Sequence, residues 1–240
     1  MGQDEFKPFY RRNLPHIQTP GATLFVTFQL AGSIPQHILT QWRMEKSRLL
    51  RLQNDTGPES TQHREFEEKD KNWERKRHWF RKFEETLDNA DSGPVWLKDD
   101  RIAKEIAESL HYRDGKMYCL DAYCIMSNHV HVVFTPLTMQ SSRTDIVNSE
   151  ENTAQTKDLC YNTLSVIMQS LKGYTARKAN HLLGRSGAFW QPESYDHIVR
   201  DASEWQRIIT YVLNNPVKAG LVDRWEKWKW NYCRCNIEHR

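Results

Sequence analysis

The chain has 240 residues, of which 38% are hydrophobic, 27% are charged and 11% are aromatic. A chain of this length and aromatic content can bury a core of its own, so its composition excludes an intrinsically disordered protein. No stretch approaches the roughly 20 apolar residues of a membrane span. The net charge of +3 is too small to identify a partner.

The excess of positive charge lies in residues 160–240, which carry 12 Lys and Arg against 7 Asp and Glu. The five cysteines lack the paired C-x-x-C spacing of a zinc site. The first residues lack the apolar run of a signal peptide. We therefore expect a cytoplasmic protein with no membrane segment.

The first predicted strand covers residues 23–30, which are aromatic and β-branched. Its even-numbered residues are apolar and share one face, while Thr23, Phe25 and Thr27 share the other. A serine cap at Ser33, followed by Pro35, predicts a helix next.

A charged helical pattern follows between residues 61 and 87. Apolar residues recur there at helical spacing on a background of Glu, Lys and Arg; they are Phe66, Trp73, Phe80, Phe83 and Leu87. We interpret 43–93 as a helical arm or insertion that packs on the core. An arm that contacts DNA or forms a dimer is the alternative.

The middle of the chain predicts a helix and then a hairpin. The helix is indicated by apolar residues at helical spacing, namely Leu97, Ile102, Ile106 and Leu110. A tight-turn pair at Asp114 and Gly115 leads into two apolar runs, 117–125 and 129–134, which are typical of an antiparallel hairpin. Residues 138–158 are polar and lack periodicity, so we expect a mobile loop.

The last third predicts a helix from Leu164 to Tyr174, a strand over 189–200 and a helix over 203–214 that Pro216 ends. The order of these elements favours an α+β fold with a central antiparallel sheet and helices on one side or both. We expect residues 1–240 to form a single domain.

His129 and His131 are the most informative pair in the chain. Residues two apart on a strand project from the same face, so the two imidazoles can hold one metal ion. A structural or surface role is the alternative for an H-x-H pattern in a chain with 10 histidines. A buried polar pair within an apolar strand favours the metal, because a buried polar group needs a partner.

A second pair lies at the end of the last predicted helix. Tyr211 and Asn215 are four residues apart, so the phenol and the carboxamide share one helix face. Packing of the tyrosine and helix termination by Asn215 before Pro216 are the ordinary explanations of this pattern.

Three ordered motifs together resemble the IS200-type single-tyrosine transposases, and within these the REP-associated tyrosine transposases. The motifs are SNHVHVV at 127–133, FWQP at 189–192 together with YDHIVR at 195–200, and YVLNNPVKAGLV at 211–222. The resemblance covers residues 115–222 well and residues 8–32 loosely. It does not extend to 43–93 or 138–158, which are longer than in a compact member.

The resemblance implies a ferredoxin-like α/β sandwich of the HUH type with a divalent metal, Mg²⁺ or Mn²⁺. His129 and His131 match the metal ligands, Tyr211 the nucleophile and Asn215 a third ligand through its amide oxygen. The implied activity is that of a transposase, which cuts and rejoins single-stranded, hairpin-bearing DNA through a 5′-phosphotyrosine. A monomer is the expected state, with a homodimer as the alternative.

Candidate DNA contacts surround these motifs. Cations that could follow a phosphate backbone and aromatic rings that could stack on unpaired bases are the features of single-strand binding. The candidates are Lys172, Arg177, Lys178, Arg185, Trp190, Gln191, Tyr195, His197 and Arg200. Core packing is the alternative for Trp190.

Two other functions remain open from the residues alone. A protein that binds nucleic-acid hairpins without cutting them would keep the fold, although it has no need of all four motif residues. A metal phosphodiesterase that uses water as its nucleophile would make Tyr211 dispensable.

Overall fold

The structure is a computed structural model that describes residues 21–35, 37–38, 40–41, 44, 80–88, 93–139, 160–161 and 163–234. Most of the predicted arm at 43–93 and of the predicted loop at 138–158 lies outside the described residues. No helix in the described part of the chain is long and apolar enough to cross a membrane.

Within the described ranges, five strands form one sheet and two very short strands pair separately. In chain order the strands are β1 (Leu24–Gln29), β2 (Tyr118–Ile125), β3 (His129–Pro136), β4 (Thr138–Met139), β5 (Cys160–Tyr161), β6 (Tyr195–Ile198) and β7 (Asn231–Cys233). The sheet has the order β6-β1-β3-β2-β7, with every neighbouring pair antiparallel. The pairing of β4 with β5 corrects the start of the predicted 138–158 loop, because residues 138–139 are strand.

Three longer helices and one short helical segment cover the two faces of the sheet. The helices are α1 (Asp100–Arg113), α2 (Leu164–Leu182) and α3 (Ala202–Lys218), and residues 80–88 form the helical segment 80–88. α1 and α2 pack on one face, and α3 and the helical segment 80–88 pack on the other. The chain order β1-α1-β2-β3-α2-β6 is that of a ferredoxin-like sandwich. The predicted α+β fold with a central antiparallel sheet is confirmed.

Strand alternation divides the side chains of β1 and β3 between the two faces. Leu24, Val26 and Phe28 join the core beneath α1 and α2, together with Val130 and Val132. The intervening residues therefore face α3, as the sequence predicts for the histidine pair.

An irregularity in β2 between Leu120 and Ala122 changes its alternation. Asp121 is the extra residue, so Leu120 and Tyr123 both face α1, while Ala122 and Cys124 face α3. The surface beneath α3 consequently carries small side chains at these positions, which lets α3 approach the sheet.

The prediction that Pro216 ends the last helix is wrong, because α3 continues to Lys218. Proline removes one backbone donor, but the turn around it stays closed by other bonds. The nitrogen of Ala219 donates to the oxygen of Asn215 and that of Leu221 donates to the oxygen of Pro216, both at 2.9 Å.

The predicted strand over 189–200 is shorter in the structure, since only 195–198 form β6. Trp190 makes an isolated bridge to Leu30. Pro192, which has no backbone N–H to donate, lies between this bridge and β6. Residues 225–230, which include Trp225, Trp228 and Trp230, also pack on the core. The indole of Trp228 donates to the backbone oxygen of Ile125 at 3.0 Å.

Candidate metal and nucleophile site

Two histidines of β3 bring their imidazole rings together on the α3 side of the sheet. His129 and His131 are 1% and 0% exposed, and their Nε2 atoms are 3.0 Å apart. This placement follows from strand alternation, because residues two apart share a face. The sheet thus holds two imidazole nitrogens at one buried point.

The other ring nitrogen of His129 is held by the residue before it. His129 Nδ1 lies 2.7 Å from Asn128 Oδ1. The Asn128 amide is oriented because its Nδ2 donates to the backbone oxygen of Leu87 at 3.0 Å. Since Asn128 Oδ1 can only accept, His129 Nδ1 carries the hydrogen and His129 Nε2 keeps its lone pair.

Glu84 of the helical segment 80–88 reaches the same point from above the sheet. Its side chain is buried, and its Oε2 lies 3.3 Å from His131 Nε2. Glu84, His129 and His131 each offer one potential ligand atom, and these atoms all lie within 4.8 Å of one another. Burial raises the pKa of Glu84 to about 8, although its hydrogen bond with Tyr211 opposes that rise.

Thr27 of β1 holds the ring of His131 from the other side. Its Oγ1 lies 2.8 Å from His131 Nδ1. A hydroxyl can donate or accept, so this contact orients the ring and is compatible with a His131 lone pair on Nε2.

The two imidazoles face each other through their Nε2 atoms. Burial lowers the pKa of His129 to about 4 and that of His131 well below its usual value, so both rings are neutral at pH 7. Neutral imidazole is the form that binds metal ions. With both lone pairs on Nε2, two nitrogen donors and a carboxylate oxygen converge on one buried point that a cation would occupy. The donor set fits a divalent metal.

Glu84 was not among the sequence-predicted site residues. It lies in a segment crowded with Glu, Lys and Arg, where no single carboxylate stands out. Its helical position was the available signal, because Glu84 falls on the same helix face as Phe80, Phe83 and Leu87. A carboxylate in the middle of an apolar face is expected to be buried.

Tyr211 of α3 packs directly against the histidine pair. The centroid of its ring lies 5.7 Å from that of His131 and 6.1 Å from those of Phe25 and Phe80. Its hydroxyl donates a hydrogen bond to Glu84 Oε2. Burial, followed by the neighbouring Glu84 carboxylate, raises the pKa of Tyr211 well above its usual value.

Asn215 lies one turn beyond Tyr211 and is buried. Its Nδ2 donates to the backbone oxygen of Tyr211 at 3.0 Å. Its Oδ1 is buried and has no hydrogen-bond partner among the described residues. The amide oxygen is the atom that the resemblance assigns to the metal.

The predicted DNA contacts on α2 lie on the opposite face of the sheet from the histidines. Arg177 and Lys178 are exposed there. Lys172 is engaged with the protein, since its Nζ donates to the backbone oxygens of residues 192 and 193 and to Ser194 Oγ at 3.0, 3.3 and 2.9 Å. Burial lowers the pKa of Lys172 to about 8.

Arg185 and Trp190 also make internal contacts. The guanidinium of Arg185 lies 3.9 Å above the ring of Trp96, and Arg185 donates to Asn180 Oδ1 at 2.7 Å. Trp190 is buried, and its indole donates to Thr175 Oγ1 at 2.9 Å. The structure thus favours core packing for Trp190.

Tyr195 and His197 share the face of the sheet that carries the histidine pair. In the pairing of β1 with β6, Tyr195 lies opposite Thr27 and His197 lies opposite Phe25. The ring of Tyr195 stacks on that of Phe80, with centroids 4.2 Å apart. Of the predicted contacts, these two lie on the side where Tyr211 is found.

Contacts around the start of α3 involve the remaining candidates. His197 Nε2 lies 3.1 Å from Glu204 Oε1, and the backbone nitrogen of Arg200 donates to Glu204 Oε2 at 2.8 Å. The backbone nitrogen of Gln191 donates to the oxygen of Gln29 at 2.9 Å. Binding of DNA by any of these side chains stays a prediction.

Comparisons with known proteins add one similarity of fold. No family model matches the chain, and no curated protein matches it. Among solved structures, the chain is similar to a REP-associated tyrosine transposase bound to a REP hairpin, with 15% sequence identity and a TM-score of 0.41. The alignment covers 95% of this chain and 82% of that chain.

Proposed function

We propose that this protein is a metal-dependent endonuclease and strand transferase that acts on single-stranded, hairpin-bearing DNA through a 5′-phosphotyrosine link. One observation carries the proposal, namely that the ring centroid of Tyr211 on α3 lies 5.7 Å from that of His131, one of the two buried histidines on β3. These are the residues that the motif resemblance assigns to the nucleophile and the metal.

The substrate class is supported by the sequence. Three motifs occur in the order found in single-tyrosine transposases, and residues 160–240 carry a net charge of 12 − 7 = +5. Positive charge of this kind supplies affinity for phosphates without selecting a base sequence. The hairpin is an inference from the resemblance.

The metal would be held by His129, His131 and the amide oxygen of Asn215. Two imidazoles with oxygen donors suit Mn²⁺, and Mg²⁺ is also compatible. When bound, such an ion neutralises the charge that develops on the oxygens of the scissile phosphate.

In the chemical step, Tyr211 acts as the nucleophile. Its hydroxyl gives up its proton and bonds to phosphorus, while the bond from phosphorus to the 3′ oxygen breaks and that oxygen takes up a proton. Without the metal, this hydroxyl donates its hydrogen bond to Glu84 Oε2. The phosphotyrosyl ester conserves the energy of the cut bond, so a second 3′-hydroxyl can reverse the step without ATP.

The test is to incubate the protein with Mn²⁺ and single-stranded hairpin DNA that is labelled at its 3′ end. We expect a labelled adduct that survives denaturation, because Tyr211 retains the 5′ phosphate of the downstream fragment. Tyr211→Phe removes the nucleophile and should abolish the adduct. Tyr112→Phe is the matched control, because Tyr112 is 67% exposed on α1, on the opposite face of the sheet.

Two outcomes would contradict the proposal. Binding of the DNA without any adduct would indicate a hairpin-binding protein that does not cut. Cleavage that survives Tyr211→Phe would indicate a phosphodiesterase that uses water.

A further inference from the structure

We infer that Glu84 is a metal ligand delivered by the helical segment 80–88, and that its hydrogen bond with Tyr211 couples metal binding to the state of the nucleophile. The inference rests on the proposed function for the metal itself. It adds a ligand from a part of the chain to which the motif resemblance does not extend.

The position of the Glu84 carboxylate supports ligation. Oε2 lies 3.3 Å from His131 Nε2, while Oε1 is buried with no hydrogen-bond partner among the described residues. A buried carboxylate that leaves one oxygen unpartnered carries a cost that a cation would relieve. Two imidazoles and a carboxylate form a common ligand set for divalent transition metals.

The helical segment 80–88 is anchored at this point by contacts other than Glu84. The backbone oxygen of Leu87 accepts a hydrogen bond from Asn128, which also orients His129. Asp88 Oδ2 lies 2.6 Å from Lys218 Nζ at the end of α3. Glu84 is therefore presented from a segment that is tied to both β3 and α3.

Glu84 Oε2 contacts both the Tyr211 hydroxyl and the imidazole of His131. Glu84 Oε2 accepts the phenolic hydrogen bond. A cation bound to the carboxylate withdraws negative charge from both of its oxygens, and this weakens Oε2 as an acceptor. Because such linkage is reciprocal, the phenolic bond must weaken metal binding by the same factor. Metal binding thus loosens Tyr211 from Glu84 and frees its hydroxyl for a phosphate.

The experiment measures Mn²⁺ affinity by calorimetry on the purified full chain without DNA. Glu84→Gln should lower the affinity on the order of 10- to 100-fold, because an amide replaces a charged ligand. Glu85→Gln is the matched control, since it removes the same charge from an exposed neighbour on the same segment. An equal effect of the two variants would overturn ligation by Glu84.

The coupling has its own readout. Tyr211→Phe should raise the Mn²⁺ affinity about fivefold or more, the lower end of ordinary coupling between sites. The same change made in Glu84→Gln should have no such effect, because the carboxylate ligand whose charge the phenol competes for is gone. An unchanged or lower affinity in Tyr211→Phe would overturn the coupling, and so would an equal rise in affinity when Tyr211→Phe is added to Glu84→Gln.

This inference and the proposed function fail in different ways. If the adduct forms and Glu84→Gln binds Mn²⁺ like Glu85→Gln, the inference alone is wrong. If the wild-type chain neither binds Mn²⁺ nor forms an adduct, both are wrong.

Discussion

The side chain of Asn128 makes two hydrogen bonds that orient a histidine from the turn before β3. Its Oδ1 accepts from His129 Nδ1 and its Nδ2 donates to the oxygen of Leu87, so one amide links the strand to the helical segment 80–88. Partners of this kind fix the ring orientation and the tautomer of a metal-binding histidine. The site therefore depends on a residue that would not itself touch the metal.

We expect Asn128→Ala to lower Mn²⁺ affinity about 10-fold or more, because His129 loses the acceptor that holds its tautomer. The free energy of unfolding should fall by about 1–3 kcal/mol, because the buried oxygen of Leu87 loses its donor. Calorimetry with Mn²⁺ and urea denaturation measure the two effects.

Ser127→Ala is the matched control for this change. Ser127 belongs to the same turn and bonds through its backbone oxygen to the nitrogen of Leu97 at 3.1 Å, which the substitution leaves in place. An Asn128→Ala variant with the Mn²⁺ affinity of Ser127→Ala would show that the amide does not orient His129.

At the scale of elements, features that depend on neighbouring residues could be predicted from the sequence, whereas features that depend on distant contacts could not. The β2–β3 hairpin and the strand β1 could be predicted because their apolar, β-branched and aromatic side chains follow a strand pattern in consecutive residues. The extra residue at Asp121 could not, because it is stabilised from elsewhere: the indole of Trp205 donates to Asp121 Oδ2 at 3.1 Å. The continuation of α3 past Pro216 likewise depends on bonds made by residues after the proline.

The same distinction holds for the candidate site. The pair of histidines and the spacing of Tyr211 and Asn215 are local patterns, and strand and helix periodicity place each pair on one face. Glu84 joins them only through packing of the helical segment 80–88, for which the sequence offers no local rule. Its position on an apolar helix face indicates burial but not the partner.

Substitution by alanine is expected to have opposite effects on stability at two glycines, one in a tight turn and one within a helix. Gly93 has a φ of +104°, and a Cβ there would lie 2.7 Å from the backbone oxygen of Gly32. We expect Gly93→Ala to lower the free energy of unfolding by more than about 1 kcal/mol, because both the backbone conformation and the contact are unfavourable.

Gly173→Ala should instead raise the free energy of unfolding by about 0.5–1 kcal/mol. Gly173 lies within α2, and its Cβ would meet only the end of the Arg177 side chain at 3.8 Å. Alanine is the better helix former at such a position. Urea denaturation measures the change in the free energy of unfolding for Gly93→Ala and for Gly173→Ala. A lower free energy of unfolding in Gly173→Ala would contradict the expectation from helix propensity.

At the scale of the whole molecule, the candidate site and the basic residues of α2 lie on opposite faces of one sheet. Tyr211 on α3 and the histidines on β3 meet on one face of the sheet, whereas Arg177 and Lys178 are exposed on α2 on the other. A polynucleotide that contacts both must pass around an edge of the sheet. The charge on α2 can then add affinity without touching the scissile phosphate.

This arrangement predicts that Arg177→Ala and Lys172→Ala differ in their effects on DNA binding and on stability. Arg177→Ala should leave the free energy of unfolding within about 0.5 kcal/mol and reduce the salt dependence of hairpin-DNA binding by about one counterion. Lys172→Ala should lower the free energy of unfolding by about 1–3 kcal/mol, because two backbone oxygens lose their donor.

Salt titrations by fluorescence anisotropy and urea denaturation measure these effects. A reduced salt dependence in Lys172→Ala at unchanged stability would mean that its ammonium group contacts phosphate rather than the 192–194 turn. An unchanged salt dependence in Arg177→Ala would place the DNA away from α2.

The sheet ends on both sides in short strands, since β6 has four residues and β7 has three. An edge strand exposes unpaired backbone groups onto which the sheet of a neighbouring molecule can extend, and short edges limit that hazard. In the described part of the chain, self-association by sheet extension would thus have few hydrogen bonds to form. Among the described residues, contacts between copies would then fall to side chains on the helix surfaces, so a point substitution there could alter them without disturbing the sheet.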